Sequence, residues 1–279
     1  MIHPTAIISP KAELGREVRV GPGAIIEEDT ILGDHCEIRA HAVIAAGTRI
    51  GPGNQIGYGA VIGAEPQDLS WKGAPSRVVI GERNVIREHV SVHRGARPES
   101  ETRIGDGNYL MVGCHVAHNC VVGNRAILVN HVLLGGYVQV GDRAFLGGGS
   151  VFHQHVRIGE LVMVRGGIRI GMDIPPFFMA VDENEVAGVN RVGLRRAGFS
   201  EETRRRLEAA YRILYESGRN VSQALEEMEK RWPTEEVLRL TAFIRASRRG
   251  ICTPKREQRR HRRRQGTAEA EAQRGEPEA

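Results

Sequence analysis

Written in sixes, residues 105–140 read GDGNYL MVGCHV AHNCVV GNRAIL VNHVLL GGYVQV. Each six ends on an aliphatic side chain: Leu110, Val116, Val122, Leu128, Leu134 and Val140. Backward, the register holds at Ile104, at Val92, Ile86 and Ile80, and then without a miss from Ile62 to Ile2; forward it runs through Leu146, Phe152, Ile158, Val164 and Ile170. A helix repeats every 3.6 residues and a half-buried strand every two, so a strict period of six describes short strands joined by regular corners. The chain coils as a solenoid. Gly often follows the aliphatic, as at Gly21, Gly33, Gly51, Gly105, Gly123, Gly141 and Gly159, which suggests a bend that a Cβ would hinder. Two positions before it sits a small residue such as Ala24, Cys36, Ala60, Cys120 or Ala126.

Composition agrees. With 34 glycines in 279 residues and only 5% aromatics, the chain must turn often and pack small side chains. The formal charge is +5, but residues 255–264 hold seven Lys/Arg against one Glu, so the body is only mildly basic. That suits an acidic partner such as a carrier protein or a phosphorylated substrate, and no nucleic-acid-binding motif accompanies it. Neither an apolar run of about 18 residues nor a charged-then-apolar leader is found, so the expectation is a cytoplasmic protein with no transmembrane segment. Cys36, Cys114, Cys120 and Cys252 have no CxxC or zinc-ribbon spacing and are expected to be free, inert thiols.

The repeat resembles that of the hexapeptide-repeat superfamily, which implies an all-β solenoid, a left-handed parallel β-helix with three sixes per coil, assembled as a homotrimer. On that basis residue n lies beneath n+18, roughly 4.8 Å away, and the column above His118 reads Gly136, then Gln154. The β-helix is assigned to 1–171. Two segments leave the repeat, 64–79 with Pro66, Trp71 and Pro75, and 94–103 with Pro98; both read as loops and candidate walls of a site. Pro175-Pro176 breaks the chain, and 172–199 reads as a polar linker. A small helical C-terminal domain over 200–252 follows, with amphipathic helices expected at 201–217, 222–231 and 235–248, and Ser200, Ser222 and Thr234 as caps. Leu207, Ala210, Tyr211, Leu214 and Tyr215 form a core-facing stripe. The charged tail, 253–279, is expected to be disordered.

Of the eleven histidines, His93, His115, His118 and His153 lie near the breaks. The stretch GCHVAHNCVVGN at 113–124 is the most specific, with two histidines three apart around Val116. In the column, the His118 imidazole faces Gly136, a backbone without a side chain. This leaves room for a substrate and offers a peptide N–H to a developing oxyanion, as acyl transfer requires. Histidine ordinarily titrates at about 6.5, so a neutral imidazole is available as a base at neutral pH.

Gln67-Asp68-Leu69, Ser91-Val92-His93-Arg94-Gly95, His115-Val116-Ala117-His118, His153-Gln154, Asp173-Ile174-Pro175-Pro176, Gly188-Val189-Asn190 and Gly198-Phe199-Ser200 occur in order. Across about residues 1–251 the chain resembles the UDP-N-acetylglucosamine 3-O-acyltransferase family. The resemblance implies transfer of an (R)-3-hydroxyacyl chain from acyl carrier protein to the 3-position of UDP-N-acetylglucosamine, the first step of lipid A biosynthesis, with no metal or bound cofactor. It implies His118 as general base and Gly136 as backbone oxyanion donor. Asp68, His93, His115 and Gln154 would contact the sugar nucleotide, His153 would be a further active-site histidine, and Asn190 and Arg196 would lie at the nucleotide end. Gly166 would floor the acyl pocket.

The chain departs from the family at several of these places. Ser70 stands where the family has a lysine, with Lys72 two positions on; Tyr137 replaces a histidine, Asn119 an aspartate, and Val192 and Ala197 polar nucleotide contacts. These changes leave open the same chemistry on a 3-amino sugar nucleotide, and a scaffold that binds a sugar nucleotide without turnover. A γ-type carbonic anhydrase is the third alternative, although that pattern expects a histidine pair five apart and the pair here is three apart. The arginines at 196 and 204–206 mark the helical part as the expected dock for an acidic carrier.

Overall fold

The computed structural model describes residues 1–255, so most of the tail expected to be disordered lies outside the described residues. Each six folds into a strand of mostly two residues whose second member is the buried aliphatic. The strands stack into three parallel sheets, the faces of a prism. Face one has nine strands from Ile7–Ile8 to Arg169–Ile170, and face two has eight from Glu13–Leu14 to Arg157–Ile158. Face three starts at Arg19–Val20 and reaches Met163–Val164 before the C-terminal part extends it. Register follows the eighteen-residue rule: His115 pairs with Leu133, and Leu133 with Val151.

The turning residue is not the glycine after the aliphatic. Left-handed φ falls two positions later, at Asn119 (61°), Tyr137 (62°) and His155 (66°) in one column. Most glycines at the earlier position answer to the next coil. A Cβ on Gly33 would lie 2.6 Å from the Pro52 nitrogen, and one on Gly141 only 2.4 Å from the Glu160 nitrogen. Close backbone approach excludes the side chain there.

Inside the edge between faces two and three, the small residue is replaced in three coils by Asn54, Asn84 and Asn108, all buried. They form a ladder. Asn54 Oδ1 accepts from the Asn84 backbone N–H and from its amide (both 2.9 Å), Asn84 Oδ1 accepts likewise from Asn108 (2.8 and 3.0 Å), and Asn108 Oδ1 accepts from the Ala126 N–H. Burial of these amides is tolerated because the oxygens are satisfied by the next coil.

Both departures from the repeat leave at the edge between faces one and two. Val61 pairs with Ser91, thirty residues on, and Arg77 with Glu101, twenty-four on, where eighteen is the rule. The loops are shorter than the sequence suggests, 65–76 and 94–100. Arg77–Ile80 and Glu101–Ile104 pair with each other over four residues, which draws their first halves into face two.

Residues 172–199 are not a linker. Phe178–Asp182 pairs with Met163–Val164 and folds back on Glu185–Val189 as an antiparallel hairpin, carrying face three past the last coil. Phe178, Ala180, Val186 and Val189 are buried by this, an alternation too short to register beside a period of six. Helix α1 (Arg191–Arg196) follows, then α2 (Glu201–Glu216), α3 (Val221–Arg231) and α4 (Glu235–Arg245). Ser200 caps α2; α3 is capped by Asn220 in a reciprocal box with Gln223, not by Ser222; Thr234 precedes α4 without a side-chain cap bond. The α2 stripe packs on the hairpin, where Tyr211 donates to the Val186 carbonyl and Tyr215 to that of Cys252. Thr253–Pro254 pairs with Glu185–Val186, so the first residues assigned to the tail belong to face three. All four cysteines are free and buried. Among the described residues no helix is long and apolar enough to cross a membrane.

Candidate active site

His118 turns the edge between faces one and two, directly after the strand His115–Val116. It is 8% exposed. Its Nδ1 lies 3.1 Å from Asn119 Oδ1, and that same oxygen accepts the Ala96 N–H from the 94–100 loop at 2.9 Å. The loop amide fixes which end of the Asn119 side chain is oxygen, so Nδ1–H must donate to it. Nε2 is therefore the basic nitrogen. The Asn119 backbone is tied in turn to Thr102 Oγ1.

The Nε2 edge points at Gly136, where a Cβ would lie 2.6 Å from Cε1 and 2.7 Å from Nε2. The Gly136 N–H has no acceptor among the described residues. Tyr137 donates its backbone N–H to the His118 carbonyl and sets its ring edge-on to the imidazole at 5.3 Å. The other side of that ring environment is closed by His155, stacked at 4.7 Å, and by the Arg97 guanidinium 5.5 Å from its centre.

Across from Gly136, Asp68 Oδ2 approaches His118 Nε2 to 3.9 Å, too far for a direct hydrogen bond. Ser70 donates both its N–H and its hydroxyl to Asp68 Oδ1 (2.9 and 2.7 Å), and these bonds hold the carboxyl below its usual range. The serine that departs from the family pattern thus anchors the aspartate. His93 Nδ1 donates to the Glu65 carbonyl at 2.5 Å and its ring meets that of His115 at 5.1 Å; His115 Nδ1 pairs with Ser91 Oγ. Burial, then the neighbouring His93 and His118, push His115 down to about 4, so it stays neutral at physiological pH.

The structure thus gathers Asp68, His93, His115, His118 and Gly136 at one edge. His153 and Gln154 sit one coil further on the same edge, both exposed, with His153 Nδ1 on the Gln154 carbonyl. Gly166 does not join them. It lies on the edge between faces three and one, in a tract of bare backbone with Gly148, Gly149 and Gly167, where a Cβ would meet the Gly148 carbonyl at 2.9 Å. Asn190 precedes α1 and Arg196 is its last residue, both at the third edge. Asn190 is buried, caps α1 through Gly193 N–H and donates to the Leu161 carbonyl, so its amide holds the helix in place; Arg196 is exposed.

Two features escape the column arithmetic. One is the Ala96 clamp on Asn119, which depends on the shape of a loop. The other is a cleft of about 610 Å³ on face two, entered beside Asn119 and Tyr137 and lined further along by His155, Arg157, Asp173, Arg248 and Arg249. The eighteen-residue step from Gln139 to Arg157 predicts part of it; the α4 end does not follow from sequence. Among the described residues no three His, Cys, Asp or Glu side chains converge as a metal-ligand set.

Comparison with known proteins supplies the relationship. Residues 173–252 match the family model described as UDP-N-acetylglucosamine O-acyltransferase, domain 2, and 29–64 and 101–136 match the bacterial transferase hexapeptide model. The acyl-[acyl-carrier-protein]–UDP-N-acetylglucosamine O-acyltransferase of Thermodesulfovibrio yellowstonii is 42% identical over 254 residues, covering 90% of this chain and 98% of the relative. The UDP-N-acetylglucosamine acyltransferase structure from Bacteroides fragilis superposes with a TM-score of 0.88 at 43% identity, over 90% of this chain and 99% of that one. That from Campylobacter jejuni gives 0.86 at 34%, over 91% and 100%. The fold is the left-handed parallel β-helix of these neighbours with its helical C-terminal part. On sequence and architecture together, the chain belongs to the UDP-N-acetylglucosamine O-acyltransferase family.

Proposed function

We propose that the chain transfers an (R)-3-hydroxyacyl group from acyl carrier protein to the 3-hydroxyl of UDP-N-acetylglucosamine, opening lipid A synthesis; its membership of a family whose relatives are acyl-[acyl-carrier-protein]–UDP-N-acetylglucosamine O-acyltransferases supports the donor and the acceptor. The observation that carries the catalytic reading is the clamped His118, with its basic Nε2 turned to the bare backbone of Gly136. His118 Nε2 takes the proton of the sugar hydroxyl as its oxygen attacks the thioester carbon. Gly136 N–H receives the charge that forms on the carbonyl oxygen. When the tetrahedral intermediate collapses, the C–S bond breaks and the imidazolium returns the proton to the leaving thiolate. Asp68, 3.9 Å from Nε2, holds the sugar hydroxyl against the base, with His93, His115, His153 and Gln154 around the sugar. This chemistry needs no metal or bound cofactor.

The dispersal of the remaining residues supports a homotrimer. Face one presents Val43, Val61, Leu133 and Val151 outward and face three presents Tyr109, Ile127, Phe145 and Met163, whereas face two carries Arg49, Arg103 and Arg157. With the glycine edge at a three-fold axis, face one of each copy packs on face three of the next. The His118 edge then meets the α1 edge of its neighbour, bringing Arg196 to the nucleotide end, and an acyl chain runs inward between apolar faces toward Gly166. His118→Ala is expected to lower turnover by about 10² or more while sedimentation still gives three chains. The assay offers hydroxyacyl carrier protein with UDP-N-acetylglucosamine or its 3-amino analogue and follows product by mass spectrometry; a fully active variant refutes the base, and no turnover with either acceptor refutes the transfer.

A further inference from the structure

At the edge between faces three and one, the residue in left-handed conformation alternates from coil to coil. Gly23, His41, Gly59, His89, Gly113 and His131 follow one another up this column, with φ between 56° and 68°. The backbone ties each to the coil below: the His89 N–H donates to the Tyr58 carbonyl, that of Gly113 to Glu88 and that of His131 to Val112. Left-handed φ favours Gly and admits Asn, Asp and His. The matching column between faces two and three fills its places with Glu17, His35, Arg83, Arg125 and Leu161 among others. Backbone need alone therefore does not select imidazole three times running. Each ring occupies the space that the glycine below it leaves: a Cβ on Gly23, Gly59 or Gly113 would lie 2.6, 2.8 or 2.5 Å from Nδ1 of the histidine above. Nε2 is left on the side of the ring turned away from that glycine. All three histidines are exposed, and none makes a side-chain hydrogen bond or ion pair among the described residues.

We infer that the His131 imidazoles of three copies hold one divalent transition-metal ion on the three-fold axis. This rests on the packing proposed above, which puts the glycine edge at that axis. A side chain there meets its own copies in a closed ring, so one exposed imidazole per chain becomes a set of three. Three neutral nitrogens without a carboxylate or thiolate suit zinc, cobalt or nickel and leave a position for water, whereas calcium and magnesium require oxygen ligands. Of the three tiers, that of His131 is the one without charged neighbours in sequence. Two positions before the histidines stand Arg39, Arg87 and Val129, and directly before them Ala40, Glu88 and Asn130. Arg39 and Arg87 are paired with Glu37 and Glu88, so the lower tiers offer no free carboxylate and set a guanidinium near a cation. The His131 tier also lies in the coil that runs from His118 to Gly136, so the ion ties the three copies together at the level of their catalytic edges.

The test measures metal content by elemental mass spectrometry on the untagged full chain after dialysis against micromolar zinc, with sedimentation to count chains, for the wild type, His131→Asn and His41→Asn. Asparagine accepts the left-handed turn, so both variants keep the coil. The wild type and His41→Asn are each expected to hold one zinc per three chains, and His131→Asn none. Cobalt in place of zinc should give the wild type visible ligand-field bands that His131→Asn lacks. A chelator should lower the melting temperature of the wild type and leave that of His131→Asn unchanged. A trimeric wild type without zinc, or zinc retained by His131→Asn, would overturn the inference and leave the packing standing. A chain that sediments as anything but a trimer would overturn both.

Discussion

At the scale of single residues the site depends on how one missing side chain fits one imidazole. A Cβ at residue 136 would sit 2.6 Å from His118 Cε1, so Gly136→Ala must displace the ring from the reacting atoms. Turnover is expected to fall by about 10², the usual cost of a misplacement near 1 Å; full activity would remove Gly136 from the site. His118 and Gly136 were readable in the sequence because a constant step of eighteen stacks them. Asn119's orientation was not, since the Ala96 N–H that fixes it comes from a loop outside the step. His115 adds a pH dependence. Unfolded chain takes up a proton as pH falls below 6.5, but the buried imidazole resists until about 4, so stability present at neutral pH is lost across that window. Urea midpoints at pH 7 and 4.5 should differ less in His115→Gln than in the wild type. Equal differences would remove His115 as the cause.

At the scale of elements, the coil interior tolerates polar side chains only as a connected set. Asn84→Ala would strip Asn54 Oδ1 of its side-chain donor, leaving only the backbone N–H of residue 84, and would leave the Asn108 N–H without its acceptor, all inside the core. The expected cost is about 3 kcal/mol, read from urea unfolding, and a change within error would show that the ladder is dispensable. The strands were legible because each contributes one buried aliphatic at a fixed interval. The hairpin of Phe178–Asp182 and Glu185–Val189 was not, because two short strands that merely extend face three carry no repeat of their own. Helix starts were partly legible: Ser200 serves its helix, while at α3 the reciprocal pair Asn220 and Gln223 outcompetes the nearby Ser222.

At the scale of the molecule, the residues that the family resemblance assigns to one site occupy three different edges of the prism. No sequence pattern announces this, since the step of eighteen orders residues along an edge and says nothing of which edges meet. If copies pack as proposed, bulk at the glycine edge shortens the space for the acyl chain. Gly166→Met should move the preferred donor to a shorter chain, measured by competing acyl carrier substrates in one assay; an unchanged preference would free Gly166 of that role. The same prism also behaves like a reading frame. The thirty- and twenty-four-residue pairings exceed the normal coil by twelve and six residues, so both loops are in-frame insertions and every aliphatic downstream keeps its phase. Catalytic loops could be lengthened or lost in such a chain by whole sixes without disturbing its core, whereas a single-residue slip within a coil would misphase every coil beyond it.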